Sequence, residues 1–317
     1  MLTKQVSLSE IDLKDKTYLL SDIVPDQKLI QSISELGLLN PVKLIKKNNG
    51  YIVITGWKRI NVMLQLGSES VYSQIYNNDE LLTEHICRII YTDNKDRITE
   101  LEKAELLRLI CSSADSYEKN IIENVLPFLG LNPTLNNLKK YLSIAALETE
   151  LKKACMNEDL TFEQLQLLSE IDDPDFRKEF YNHFLIKYKF NNNEMRDLLK
   201  DVQAICIRKN ISLGQLAEII TADNSGKSDK NTIRKTIKTI CYPKLTETEQ
   251  IYNELVKELN LGNTSRLVNH PYFESNELEL RIKFKNQKDL KNEFEILKKS
   301  LEDGRIEKLL QLIKEGI

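Results

Sequence analysis

The spacing of apolar positions changes several times over the first hundred residues. Leu29, Ile30, Ile33 and Leu36 lie at helical spacing behind Pro25-Asp26, and Gly37 stands where a helix C-cap belongs, so a short helix is predicted. After Asn40-Pro41, Val42-Lys43-Leu44-Ile45 reads as a strand. Asn48-Asn49-Gly50 tolerates positive φ, and Tyr51-Ile52-Val53-Ile54 reads as the return strand of a hairpin. Gly56 breaks that strand, and Trp57 to Leu66 carries Ile60, Met63 and Leu64 at helical spacing before Gly67. Val71 to Ile75 reads as a further strand, and Asp79 to Ile90 as a helix leading to Asp93-Asn94. A small mixed α/β domain over residues 1–97 is the expectation.

From Ile98 to about Ala222, strand signals vanish and leucine-rich helical periods dominate, broken at Pro127, Gly130, Pro133, Pro174 and Asn191-Asn192-Asn193. A helical domain over 98–222 is predicted. Within it, Asn120 to Leu129 and Thr134 to Ala145 read as helices on either side of the tight turn Gly130-Leu131-Asn132-Pro133, a helix-turn-helix outline. Asp223 to Asp229 has the composition of a linker and opens a third unit, 223–317, in which Lys227, Lys230, Arg234, Lys235 and Lys238 cluster. The unbroken alternation Leu278-Glu279-Leu280-Arg281-Ile282-Lys283-Phe284 predicts a half-buried strand between helices. The fold class is therefore α+β: a small mixed α/β domain, an all-α domain of helix-turn-helix type, and a small α/β C-terminal unit. A free strand edge can pair with its symmetry mate, which makes a homodimer one reading of that unit and a self-contained cap the other.

Composition sharpens this outline in a few places. With 317 residues, the chain exceeds one ordinary core, and 41% hydrophobic with 29% charged residues is globular rather than disordered. No stretch approaches the roughly 20 apolar residues of a membrane span. Met1-Leu2-Thr3-Lys4-Gln5 leads into no signal core, so no membrane association and a cytoplasmic location are expected. Cys87, Cys111, Cys155, Cys206 and Cys241 form no C-x-x-C pair, and His85, His183 and His270 lie far apart, so free thiols are expected and a Cys/His metal site is not. A net charge of -3 requires that any nucleic-acid contact use a local patch.

The segment from Thr55 to Gly67 carries the clearest chemistry. A strand passes to a helix through Gly56, with Trp57-Lys58-Arg59 directly behind. A helix N-terminus offers unpaired N–H groups, glycine admits a phosphate to the backbone, and Lys58 and Arg59 add charge and directed donors. The bland alternative is a solvated basic helix start.

The string Ser32-Ile33-Ser34-Glu35-Leu36-Gly37-Leu38-Leu39-Asn40-Pro41-Val42, the hairpin, Gly56-Trp57-Lys58-Arg59 and Leu66-Gly67 resemble, in order and spacing, the N-terminal domain of the ParB partition proteins, a ParB/sulfiredoxin-like fold. Asp93-Asn94-Lys95-Asp96-Arg97 resembles that family's second motif, Glu-Asn-x-x-Arg, and Leu101-Glu102-Lys103-Ala104 resembles the start of its helical region. The resemblance implies a pocket for CTP and Mg²⁺. Gly56, Trp57, Lys58, Arg59, Asn94 and Arg97 would hold the nucleotide, and Asp93 and Asn94 the metal. It also implies DNA as partner, with Thr134, Asn136 and Asn137 near the start of the second helix facing base edges and Lys139 and Lys140 facing phosphates. The alternative there is a plain helical hairpin with Leu135, Leu138 and Leu142 as core.

A partition ATPase partner, a nucleoid location in a bacterial cell and at most weak CTP hydrolysis belong to the same implication. Two departures weigh against hydrolysis: Ile11 to Asp26 holds no Asn-Pro-x-Gln-x-Arg stretch, and Val62 stands where the family has Ala. The turn also lacks the cysteine that sulfiredoxins place there. Two other readings of the pocket stay open: a phosphotransferase or nuclease, and a transcription regulator in which it is vestigial.

Overall fold

The structure, a computed structural model, describes residues 2–20, 23–47, 50–77, 82–113, 117–223, 229–261 and 265–315. The chain divides into two compact units, Met1–Lys178 and Glu179–Ile317.

The first unit is built on a five-stranded sheet of β1 (Leu2–Ser7), β2 (Ile11–Asp12), β3 (Val42–Lys47), β4 (Gly50–Thr55) and β5 (Ser70–Asn77), in the order β1-β5-β3-β4-β2. β1 runs antiparallel to β5 and β3 antiparallel to β4, while the β3–β5 and β2–β4 pairs are parallel. The β3–β4 pair is the expected hairpin; its turn residues Asn48 and Asn49 lie outside the described residues. β1 and β2 were not legible in the sequence. Val6 is the one buried residue of β1, and β2 is two residues long, so neither shows an alternating pattern.

Both faces of the sheet are covered. Val53 joins Val6, Val42, Leu44 and Val71 in one cluster with Trp57 and Ile60 of helix α2 (Trp57–Gln65), which packs with α1 (Gln27–Leu36). Its neighbours Ile52 and Ile54 point the other way, as a period of two requires. They meet Ile86 and Ile90 of α3 (Thr83–Asn94) and Leu106 and Leu107 of α4 (Glu100–Cys111). The predicted helix ending at Ile90 thus runs one turn further, through Asp93 and Asn94; residues 79–81 of that prediction lie outside the described ones.

This second cluster continues without a break through Val125, Leu126, Leu138 and Tyr141. The sheet face left bare by β4 is therefore closed by helices downstream of residue 97, and the compact unit reaches Lys178, inside the stretch that sequence periodicity marks as one helical domain. Residues 118–128 form a helical rod, α5, whose middle, Ile121–Val125, is a π-helix. Gly130, at φ 72°, makes the turn, the Leu131 N–H donates to the Leu126 carbonyl at 2.8 Å, and α6 (Leu135–Ala145) follows. Helices α7 (Thr149–Met156) and α8 (Phe162–Ser169) follow in turn.

In the second unit, α9 (Asn192–Lys209) and α10 (Leu213–Asp223) pack with α11 (Lys230–Cys241), and α11 packs with α12 (Pro243–Glu258). Of the proposed linker, residues 224–228, including Lys227, lie outside the described residues, while Asp229 caps α11. β6 (Ser265–Asn269) pairs antiparallel with β7 (Leu278–Ile282), followed by α13 (Gln287–Glu302) and α14 (Arg305–Glu315). The alternating strand ends at Ile282, two residues before its expected end, and Phe284 is exposed. Among the described residues, no helix is long and apolar enough to cross a membrane.

Candidate functional site

The site begins where β4 ends. Gly56 adopts φ 106°, ψ 18°, a conformation that L side chains rarely take. A Cβ there would sit 2.9 Å from Val42 Cγ1, in the buried core, and 3.3 Å from Arg59 Cζ. Glycine is thus required both for the backbone turn and for the space beside it. It also leaves α2 without a side-chain cap, whereas α1, α4 and α6 are capped by Asp26, Thr99 and Thr134. The first N–H groups of α2 have no intrahelical acceptors and carry the positive end of the helix dipole, which makes them donors for an anion.

Arg59, the third residue of α2, reaches back across the site. Its Nη1 donates to the carbonyls of Asn40 (3.2 Å) and Pro41 (2.9 Å), and its Nη2 to Asp93 Oδ2 at 2.6 Å. Asp93 is held from a second side by Lys43 Nζ on Oδ1 at 2.8 Å, and the Thr55 hydroxyl donates to Oδ2 at 3.0 Å. Asn94 Nδ2 donates to the Ile90 carbonyl (2.8 Å) and to Thr55 Oγ1 (3.4 Å). The glycine turn and the last turn of α3, some forty residues apart in sequence, are therefore knitted into one cluster whose charged members are each less than one-fifth exposed. Burial alone would raise the Asp93 carboxyl, but hydrogen bonds and charge from Lys43 and Arg59 outweigh it and hold the group below the usual carboxylate range.

A cavity of about 570 Å³ opens at this cluster, lined by Gly56, Trp57, Lys58, Arg59, Asp93, Asn94 and Arg97 among others. Every residue named from the sequence for nucleotide or metal thus lines one cavity. Their roles there differ. Trp57 is 7% exposed and packs into the sheet core, and its buried indole N–H has no hydrogen-bond partner. Lys58, Lys95, Asp96 and Arg97 are exposed at the rim, the last on a turn closed by its own N–H to the Asn94 carbonyl at 2.8 Å. Lys43, Thr55 and the carbonyls of Asn40 and Pro41 were not singled out from the sequence. Asn40-Pro41 was visible there as a break before a strand and within the string that carries the resemblance, not as a source of carbonyl acceptors.

Among the described residues, no group of three or more His, Cys, Asp or Glu side chains is placed to hold a metal ion. The thiol on α3, Cys87, is buried and its pKa is pushed up to about 12, by burial and then by the Glu84 charge, so it is no nucleophile at neutral pH.

The residues expected on DNA lie on α6. Thr134 is its N-cap, accepting from the Asn137 N–H at 3.2 Å, and Asn137 Nδ2 donates to the Asn132 carbonyl at 3.1 Å. Asn136 and Lys139 are exposed, and Lys140 Nζ lies 5.6 Å above the Phe162 ring. Leu138 and Tyr141 supply the buried side, so core and polar faces coexist on this helix, while Leu135 is exposed. The basic cluster of the second unit is largely neutralised within that unit. Lys230 and Arg234 both pair with Glu194, and Lys238 with Glu249.

Comparison with protein-family models gives no match. Over 96 residues, 30% of its length, the chain is 26% identical to a probable chromosome-partitioning protein ParB of Campylobacter jejuni, and it spans about a third (34%) of that relative's length. Three solved structures are similar more loosely. A C-terminally truncated ParB of Caulobacter crescentus complexed to the centromeric parS site gives TM-score 0.35 and 15% identity over 62% of this chain and 97% of that one. The same truncated protein complexed with CTP-γ-S gives 0.25 and 17% over 56% and 98%. A Pnob8-like ParB-N domain gives 0.38 and 18% over 81% and 96%.

Proposed function

We propose that this chain, which carries a divergent ParB-like N-terminal domain, is a DNA-binding protein of partition or plasmid-maintenance type whose cavity takes CTP. The observation that supports this most is the convergence of the uncapped, glycine-led start of α2 with Arg59 and with the Asp93-Asn94 end of α3. A triphosphate needs a close backbone approach, unpaired N–H donors and fixed cations together, and these residues offer all three. If the bound nucleotide supplies any chemistry beyond occupancy, it is hydrolysis of its terminal anhydride.

In this reading Arg59 and the first N–H groups of α2 meet the phosphates, and Lys58 and Arg97 at the rim add charge. The exposed Asn136 with Asn137 reads base edges from α6, and Lys139 with Lys140 holds the DNA backbone. A homodimer, a partition ATPase partner and residence on the nucleoid complete the proposal.

Calorimetric titration of the full chain with CTP tests it. The wild type is expected to bind, and Arg59→Ala to weaken binding by about tenfold or more, as loss of a charge-assisted hydrogen bond does. Absence of CTP binding by the wild type, or equal affinity in Arg59→Ala, would defeat the reading.

A further inference from the structure

The resemblance assigns Asp93 and Asn94 to a divalent cation, and the side chains around them do not fit that task. A hard cation needs carboxylate or amide oxygens free to coordinate it. Both Asp93 oxygens already receive charged donors, Lys43 Nζ at 2.8 Å and Arg59 Nη2 at 2.6 Å, and Oδ2 takes the Thr55 hydroxyl as well. The Asn94 amide nitrogen donates to Ile90 and Thr55, and the amide oxygen alone offers one neutral ligand where a hard cation takes about six. A metal at Asp93 would have to displace two cations from a largely buried carboxylate and then lie beside both.

Other oxygens of the cavity do not replace it. Glu102 accepts from the Thr99 N–H at 2.7 Å and closes the cap of α4, and Asp96 is an exposed single carboxylate. Arg59, by contrast, is poised for an anion. Three of its N–H contacts go to Asn40, Pro41 and Asp93, which fix the guanidinium plane and leave two of its five donors for a ligand. Lys43 compensates Asp93 from the neighbouring strand, so the carboxylate does not cancel the charge Arg59 presents.

We infer that Asp93 is a positioning residue that aims Arg59 at the bound polyphosphate, and that no divalent cation is coordinated by Asp93 and Asn94. The inference rests on the nucleotide reading of the cavity above. It adds Lys43 and Thr55 to the residues on which binding depends.

The test is calorimetric titration of the full chain with CTP, and separately with inorganic pyrophosphate, each in Mg²⁺ and in EDTA. Wild type, Asp93→Asn and Asn94→Ala are compared, with thermal melts to confirm folding. Asp93→Asn is expected to weaken binding about tenfold in both conditions. The ratio of Mg²⁺ to EDTA affinities should stay within about twofold of the wild-type ratio, whatever Mg²⁺ does to the nucleotide itself. Asn94→Ala is expected to leave the same ratio unchanged, which keeps the question decidable if Asp93→Asn does not fold.

Two results would overturn the inference while leaving the nucleotide reading intact. One is a Mg²⁺ advantage that collapses in either variant, as loss of a metal ligand requires. The other is an Asp93→Asn protein that binds like the wild type in both conditions. If the wild type binds neither ligand in either condition, the nucleotide reading itself fails and this inference falls with it.

Discussion

The cavity at Gly56 and the outer face of α6 lie in the same compact unit and are built in opposite ways. At the cavity, side chains from β3, β4, α2 and α3 converge, and the largely buried charged groups Lys43, Arg59 and Asp93 are held by partners distant in sequence. On α6, the polar residues diverge: Asn136 and Lys139 are exposed, and Thr134 and Asn137 make local hydrogen bonds with each other and with the preceding turn at Asn132. A small polyanion is recognised by donors fixed in advance around a point, because ordering them at binding would cost side-chain entropy. A duplex is read along a line, by side chains free to reach outward. The difference is what one chain doing both tasks would need.

The largest effect is expected at the glycine. Gly56→Val forces a β-branched residue to positive φ and drives its Cβ onto Val42, so it should cost about 2–4 kcal/mol of stability, from backbone strain and overpacking together. Thermal or urea denaturation measures this. A variant as stable as the wild type would mean that the turn is not as tight as described.

Next comes Asn136→Ala with Asn137→Ala. If α6 reads bases, the pair should lose about 1–3 kcal/mol of discrimination between specific and non-specific DNA, while CTP binding is untouched. Fluorescence anisotropy on both DNAs would show it, and an equal loss on the two would reduce α6 to a backbone contact. Thr134→Ala removes a helix cap and should cost about 1 kcal/mol of stability without touching the cavity. Lys139→Ala should weaken all DNA sequences alike and lower the slope of log affinity against log salt by about one.

A pH experiment sharpens the other side of the comparison. The folded-state pKa of Asp93 is depressed. Its contribution to stability is therefore fully present above the unfolded carboxylate value, about 3.9, and is lost as pH falls through the lower folded value. Stability of the wild type should decline through that acid range more steeply than that of Asp93→Asn, followed by denaturant midpoints. Identical slopes would mean that the ion cluster does not form in solution.

What could be read in advance depended on how local the cause was. Gly56, Arg59 and α2 were legible, since a glycine between a strand and a basic helix start is a local signal. The two helices on either side of Gly130-Leu131-Asn132-Pro133 were legible for the same reason. Asp93 and Asn94 came from resemblance, because the polar end of α3 has no apolar residues to extend its period. Lys43 and Thr55 were invisible. Lys43 is one charge on an alternating strand, and it meets Asp93 only because the β3–β4 register and the packing of α3 on β4 bring them together. The boundary expected at residue 97 marks a real change of period, yet the sheet face behind β4 needs the later helices to bury it, and periodicity carries no record of that.

The most direct test of the central claim is a CTP titration of the full chain followed by backbone amide resonances. The account predicts that the amides of Trp57, Lys58 and Arg59 and those of Asn94 and Lys95 shift together along one binding curve, while Asn136 and Lys139 stay in place. Shifts confined to one of the first two groups, or to neither, would contradict a single cavity made by both.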